Sequence, residues 1–150
     1  MAQSILFVCL GNICRSPSAE GVTRALAARR GLDLRLDSAG TGDWHVGKPP
    51  YGPMQAAALV RGYDLSGLRA RQVSRADFDR FDLILAMDAQ NMADLRRLAP
   101  GRDAQLRLFT DFAPETGMTE VPDPYFTRDF TGALDLIELC AAGLLDQAGP

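Results

Sequence analysis

Residues Ser4-Ile5-Leu6-Phe7-Val8 make a short, uninterrupted apolar run, and helical spacing takes over soon after it ends. A run of that length reads as a β-strand buried on both faces. Ala19, Val22 and Leu26 then share one helical face, with Arg24, Arg29 and Arg30 placed elsewhere. A strand covered on both sides and followed by a helix demands parallel neighbours reached by crossovers, and the rest of the chain supplies them. Leu34-Arg35-Leu36-Asp37-Ser38, closed by Ala39-Gly40, reads as a second strand. Met54 to Arg61 reads as an alanine-rich helix ended by Gly62. Ser74-Arg75-Ala76-Asp77 has the form of a capping-box variant opening a short helix. Asp82 to Met87 is a third strand, and Asp88 can cap the helix that holds Met92, Leu95 and Leu98. Gln105 to Thr110 is a fourth strand. A loop with Pro114, Pro122 and Pro124 follows, then a last helix with Phe130, Leu134, Ile137, Ala141 and Leu144 on one face.

The expected fold is therefore α/β: a single doubly wound domain over residues 1–150, with a four-stranded parallel sheet and helices on both faces. In such sheets ligands sit beyond the carboxyl ends of the strands, where strand order reverses. The loop between the first strand and the first helix is the first place to look.

Composition narrows the partners. Sixteen basic against nineteen acidic residues give a net charge of −3, which argues against nucleic acid. The longest apolar run, Ile5 to Leu10, is far too short to insert across a membrane, and no basic segment precedes it as in a secretory leader. Three cysteines make no disulfide framework, so the expected setting is reducing and cytoplasmic.

Cys9-Leu10-Gly11-Asn12-Ile13-Cys14-Arg15-Ser16-Pro17 joins the first strand to the first helix. Gly11 and Asn12 are residue types that accept positive φ. Pro17 suits the first position of a helix, with Ser16 as its cap. The loop can then curl so that successive N–H groups, from Leu10 to Arg15, form an anion nest at a helix N-terminus. Arg15 can add a bidentate fork to two oxygens of a tetrahedral anion. Cys9 at the floor of the nest would have its thiolate favoured by the same dipoles and could attack phosphorus. The plainer alternative makes Cys9 a buried strand-end residue and Arg15 a surface cap.

Attack by a thiolate needs a group to protonate the departing oxygen. Asp123, held between Pro122 and Pro124, is the carboxyl whose approach is stiffened. Tyr125 and Phe126 beside it can wall it off and keep it protonated. Its plainer reading is a Pro-Asp-Pro turn. Gly42-Asp43-Trp44-His45-Val46-Gly47-Lys48-Pro49 resembles a nucleotide-binding loop, but Pro49 stands where a magnesium-holding Ser or Thr is required, so nucleotide binding is rejected. Trp44 reads better as one wall of an aromatic slot, or as a half-buried loop anchor. Cys9 and Cys14 lack the further ligands of a structural zinc site, so no metal and no cofactor is expected. Cys14 could instead condense with a sulfenic acid on Cys9 and act as its redox partner, or it could merely pack as a small apolar residue.

With these residues assembled, the chain closely resembles the low-molecular-weight protein tyrosine phosphatases of the bacterial type, from about Ile5 to Leu145. The carrying motifs are the Val8 to Pro17 loop, Asp37-Ser38-Ala39-Gly40, Ala70-Arg71-Gln72-Val73 and Asp123-Pro124-Tyr125. The resemblance implies a phosphatase with Cys9 as nucleophile, Arg15 as phosphate clamp and Asp123 as general acid. It implies that Ser16 eases departure of the thiolate, that Asn12 holds its left-handed turn through Ser38, and that Trp44 and Tyr125 admit a phosphotyrosine ring. The implied substrate is a phosphotyrosine protein, with a bacterial tyrosine kinase as one possibility. Two departures stand out: Leu68 replaces a His that in relatives bonds the loop Asn, and Tyr51-Gly52-Pro53 replaces Asp-Pro-Arg. Both put the rigidity of the loop in question. An arsenate reductase of the same fold is the runner-up, but the Phe81 to Asn91 region lacks the relay cysteines that such enzymes carry. A non-catalytic phosphate-binding module is the third reading, and it would have no use for Asp123.

Overall fold

Ile5 to Val8 of the first apolar run are fully shielded from water on both sides of the sheet. In the computed structural model, which describes residues 3–148, β1 (Ser4–Cys9) lies at the centre of four parallel strands. β2 (Arg35–Gly40) flanks it on one side, and β3 (Leu83–Ala86) and then β4 (Leu106–Leu108) lie on the other. The order β2-β1-β3-β4 reverses direction at β1, so the switch point expected of a doubly wound sheet lies at the carboxyl end of β1.

The period-two alternation of the strands divides the core. Ile5, Phe7 and Cys9 of β1, with Leu85 and Met87, face α1 (Arg15–Arg29), α2 (Gly52–Val60) and α6 (Phe130–Ala148). Leu6, Val8, Ile84 and Ala86 face the other way, onto α3 (Asp77–Arg80) and α4 (Ala89–Leu98). Phe7 meets Phe109 edge to face at 5.4 Å, which seats the first layer beneath β1. The last helix packs Leu134, Ile137, Ala141 and Leu144 inward, as its spacing requires. Asp88 caps α4, its Oδ1 accepting the Asn91 N–H at 2.7 Å.

The fourth strand is shorter than the apolar pattern suggests. Leu106–Leu108 pairs with β3, after which Phe109–Phe112 coils into a 3₁₀ turn that buries Phe109 and Phe112. The Gly42 to Pro49 stretch starts no helix at Lys48: Gly47 N–H donates to the Ala70 carbonyl and α2 begins only at Gly52. No helix among the described residues is long and apolar enough to cross a membrane.

One loop extends the sheet edge towards the switch point. Gly40 N–H donates to the Arg71 carbonyl and Val73 N–H to the Gly40 carbonyl, both at 2.8 Å, so Ala70–Val73 runs alongside the end of β2. Arg71 is held there by a fork onto buried Asp77 (2.9 and 3.1 Å) and by Asp37 at 3.0 Å. Burial alone would raise the Asp77 carboxyl, but the Arg71 guanidinium and the Ser74 N–H outweigh it and hold Asp77 below its usual 3.8. A carboxylate depressed in the folded state contributes stability that is complete above the unfolded value and disappears as pH falls through the folded one. Asp77→Asn should therefore be less stable than the parent near neutrality, with the gap closing as pH falls below about 4. Urea denaturation from pH 3 to 7 measures this; a gap independent of pH would contradict it.

Candidate active site

Cys9 ends β1, and the chain curls through residues 10–14 before α1 starts at Arg15. The helix thus begins two residues earlier than the Ser16-Pro17 pair suggests. Cys14 is the capping residue, with no side-chain cap, and Pro17 lies inside the first turn, where its missing N–H costs nothing. Ser16 is consequently free of capping and turns back into the loop.

Asn12 makes the curl possible. Its φ is +56°, a conformation that costs an ordinary L-residue about 1–2 kcal/mol. Three side-chain hydrogen bonds offset this: Nδ2 donates to Ser16 Oγ at 2.8 Å and to Ser38 Oγ at 3.0 Å, while Oδ1 accepts the Arg71 N–H at 3.0 Å. At about 1 kcal/mol each, they outweigh the backbone penalty. The Arg71 anchorage described above is thus what presents that N–H. Gly40 permits the close approach, since a Cβ there would lie 2.8 Å from the Leu10 carbonyl oxygen and 3.2 Å from Asn12 Cβ.

The donors in this network run in one direction. Glu20, 3% exposed on α1, accepts from Ser38 Oγ at 2.7 Å and pairs with Arg24. With its proton spent on Glu20, Ser38 accepts from Asn12. Asn12 fills an acceptor site of Ser16, which leaves the Ser16 proton for Cys9 Sγ, 3.0 Å away; the Ala39 carbonyl is a longer alternative at 3.4 Å. Asn12 N–H also donates to Cys9 Sγ at 3.3 Å. Two donors therefore face the sulfur. Among the described residues, the N–H groups of Gly11, Ile13 and Cys14 have no acceptor in the chain.

Arg15 is 3% exposed and held by groups far away in sequence. Nη1 donates to Asp88 Oδ2 at 2.7 Å and to the Val121 carbonyl at 3.1 Å; Nη2 lies 3.5 Å from Asp123 Oδ2. Nε has no partner among the described residues. Burial pulls the guanidinium pKa down, but Cys9, Asp88 and Asp123 more than compensate and raise it, which secures the charge. Sequence reasoning saw Asp88 only as a helix cap. Its second oxygen on Arg15 carried no local signal, and neither did Glu20.

Asp123 has the extended backbone that Pro124 imposes, φ −82° and ψ 108°, and its Oδ1 accepts the Tyr125 N–H at 3.1 Å. It starts α5 (Pro124–Thr127), which carries Tyr125 and Phe126. Cys9, Arg15 and Asp123 meet in a cleft of about 260 Å³ whose sides include Trp44, His45, Tyr125 and Phe126. Leu10, Gly11, Ile13 and Cys14 complete its floor. Trp44 stands 66% exposed at the mouth, its ring lying on Gly42, where a Cβ would come within 2.0 Å of a ring carbon. The Cys14 thiol is pushed up to about 12, chiefly by burial and then by Asp123 and Cys9. Cys140, buried in α6, is likewise pushed up to about 12 by burial. All three cysteines are free. No group of three or more His, Cys, Asp or Glu among the described residues is placed to hold a metal ion.

Leu68 packs against the larger core cluster. Asn12 is held without a His: its amide nitrogen donates to the two serines and its oxygen accepts the Arg71 N–H.

Known proteins are similar to this chain over nearly its whole length. Residues 4–149 match the family model for low molecular weight phosphotyrosine protein phosphatases. The low molecular weight protein-tyrosine-phosphatase YfkJ of Bacillus subtilis is 44% identical over 145 residues, 95% of this chain and 93% of that protein. The YfkJ crystal structure superposes with a TM-score of 0.93, covering 96% of this chain and 92% of the other. Vibrio vulnificus Wzb, solved in complex with benzylphosphonate, is 30% identical with a TM-score of 0.86, covering 96% and 97%. Fold and sequence agree, and the chain belongs to the low molecular weight phosphotyrosine protein phosphatase family.

Proposed function

We propose that this protein hydrolyses phosphotyrosine in protein substrates, and small aryl phosphates, through a phosphocysteine intermediate on Cys9. The observation that carries this reading is the Arg15 side chain. A buried, charged Nε–H without a partner, beside a sulfur that receives two hydrogen bonds, suits a tetrahedral dianion. Arg15 and the loop N–H groups from residue 10 to residue 15 hold the phosphate oxygens. The Cys9 thiolate attacks phosphorus, the ester bond breaks, and Asp123 gives its proton to the departing phenolate. Asp123, now a base, takes a proton from water, which attacks the phosphocysteine and releases phosphate and thiolate. The Ser16 hydroxyl, aimed at Sγ, eases that release. The loose transition state places its charge on oxygens that Arg15 and the loop already face, and no step calls for a metal.

Trp44, Tyr125 and Phe126 form the slot for the phenol ring. Benzylphosphonate, the ligand held by Wzb, joins a benzyl group to a tetrahedral phosphonate and has the shape this cleft accepts. The chain, 1–150, acts as one phosphatase domain in the cytoplasm, where three free thiols persist. A bacterial tyrosine kinase bearing phosphotyrosine is a substrate of the proposed class. Hydrolysis of phosphotyrosine against phosphoserine peptides in EDTA tests the reading; arsenate reduction without phosphatase activity would overturn it.

Cys9→Ser should abolish turnover yet still bind phosphate or vanadate, as followed by calorimetry; retained turnover removes the nucleophile. Asp123→Asn should reduce kcat/KM for phenyl phosphate at least about 10²-fold while reducing it far less for 4-nitrophenyl phosphate, since only the poorer leaving group needs the proton. An equal loss for both would make Asp123 structural.

We further propose that Cys14 is the redox partner of Cys9. Peroxide oxidises the Cys9 thiolate to a sulfenic acid; the Cys14 sulfur then attacks it, water leaves, and a disulfide forms that dithiothreitol reduces. After peroxide and then dithiothreitol, the parent enzyme should recover most of its activity and Cys14→Ser much less. Equal recovery would leave Cys14 a packing residue.

A further inference from the structure

Tyr51 is one of the departures from the pattern that the resemblance leads one to expect, and the sequence alone gives it no task. Its backbone is tied to the phosphate loop: the N–H donates to the Ile13 carbonyl at 2.8 Å, two residues before Arg15. Its carbonyl accepts the Gln55 N–H at 2.9 Å, and Gln55 Nε2 reaches back to the Pro50 carbonyl at 2.7 Å. The side chain points the other way, to the loop bearing Asp123. The Tyr51 ring lies 5.1 Å from that of Tyr125 and 6.2 Å from that of Phe130. Its hydroxyl accepts from Arg128 Nη1 at 2.8 Å, and the Arg128 guanidinium sits over both the Tyr51 ring (5.3 Å) and the Phe130 ring (5.2 Å).

These contacts fall where the acid loop needs support. α5 has four residues and cannot hold itself together. Arg128, which closes it, adopts φ +63°, a conformation that persists only when the surroundings enforce it. Before Asp123 the chain is fastened by the Val121 N–H on the Met87 carbonyl at 2.8 Å. After Asp123 the contacts to Tyr51 and Phe130 take that role. Among the described residues, only the 3.5 Å approach of Arg15 touches the carboxyl from outside its own loop.

We infer that Tyr51 is a positioning residue for the general acid, setting the Asp123 loop at a defined height over the phosphate loop. The assignment rests on Asp123 being the acid proposed above. With the post removed, the α5 turn pivots about Val121 and the carboxyl moves off line, and a misplacement of ~1 Å can cost up to about 10²-fold in rate.

Steady-state kinetics of Tyr51→Ala with phenyl phosphate and 4-nitrophenyl phosphate, in parent and Asp123→Asn backgrounds, tests this. In the parent background kcat/KM should fall about tenfold for phenyl phosphate and less than about threefold for the activated ester. In the Asp123→Asn background the same change should cost under about twofold on either ester, because the group it positions is gone. Tyr51→Phe keeps the ring stack and loses only the Arg128 bond. It leaves no cavity and should show the same selectivity at about two- to threefold. Equal losses on both esters in these variants, or an undiminished loss in the Asp123→Asn background, overturn the inference. The two readings fail separately: an Asp123→Asn enzyme without leaving-group selectivity refutes the acid, whereas a selective Asp123→Asn beside an unselective Tyr51→Ala refutes only the post.

Discussion

The left-handed backbone at Asn12 is the constraint from which the site is built. Without it the chain leaving β1 would run on past the sheet, and Cys9 would be an ordinary buried strand-end thiol. With it the loop doubles back, α1 starts at Arg15, and sulfur and guanidinium share one cleft. The conformation is tolerated because three partners from three parts of the chain meet the Asn12 side chain: Ser16 in the next helix, Ser38 in β2, and the backbone of Arg71. The sheet order brings those partners together, since β2 and its added edge segment lie directly beside β1.

Electrostatics at the floor follow from that geometry. A fully buried guanidinium would be unfavourable alone, and Asp88 and Asp123 approach it from beyond β3 and from the proline-flanked loop. Asp88 satisfies one nitrogen firmly, whereas Asp123 stays at long range. This inequality matters for the role proposed for Asp123, because a carboxyl locked onto the guanidinium would have nothing to give a leaving group.

Local features were legible in the chain. The double burial of β1, the cap at Asp88, the extended backbone at Asp123 and the inward stripe of α6 all follow from patterns within a few residues. The cysteine loop was legible as well, because glycine, asparagine, serine and proline each restrict the backbone there. α1 starts before the Ser-Pro pair that resembles a helix entry, because Ser16 is engaged by Asn12, whose own conformation is fixed by Ser38 and Arg71 far away in sequence. The second contact of Asp88, the place of Glu20 behind Ser38, and the stack of Tyr51 on Tyr125 join residues far apart in sequence. No periodicity records such pairs. Leu68 shows the converse: where the resemblance leads one to expect a His on the loop Asn, the Asn12 oxygen accepts a backbone N–H from Arg71, a partner that no local pattern announces.

Trp44 is the sole tryptophan of the chain, and it stands at the mouth of the cleft with its ring laid on Gly42. The indole emission of the whole protein therefore originates beside the cleft that holds Cys9 and Arg15. Any ligand that enters this cleft changes the polarity around that one fluorophore, and no second indole dilutes the signal. The molecule thus carries its own optical reporter of occupancy, readable without a label and without turnover.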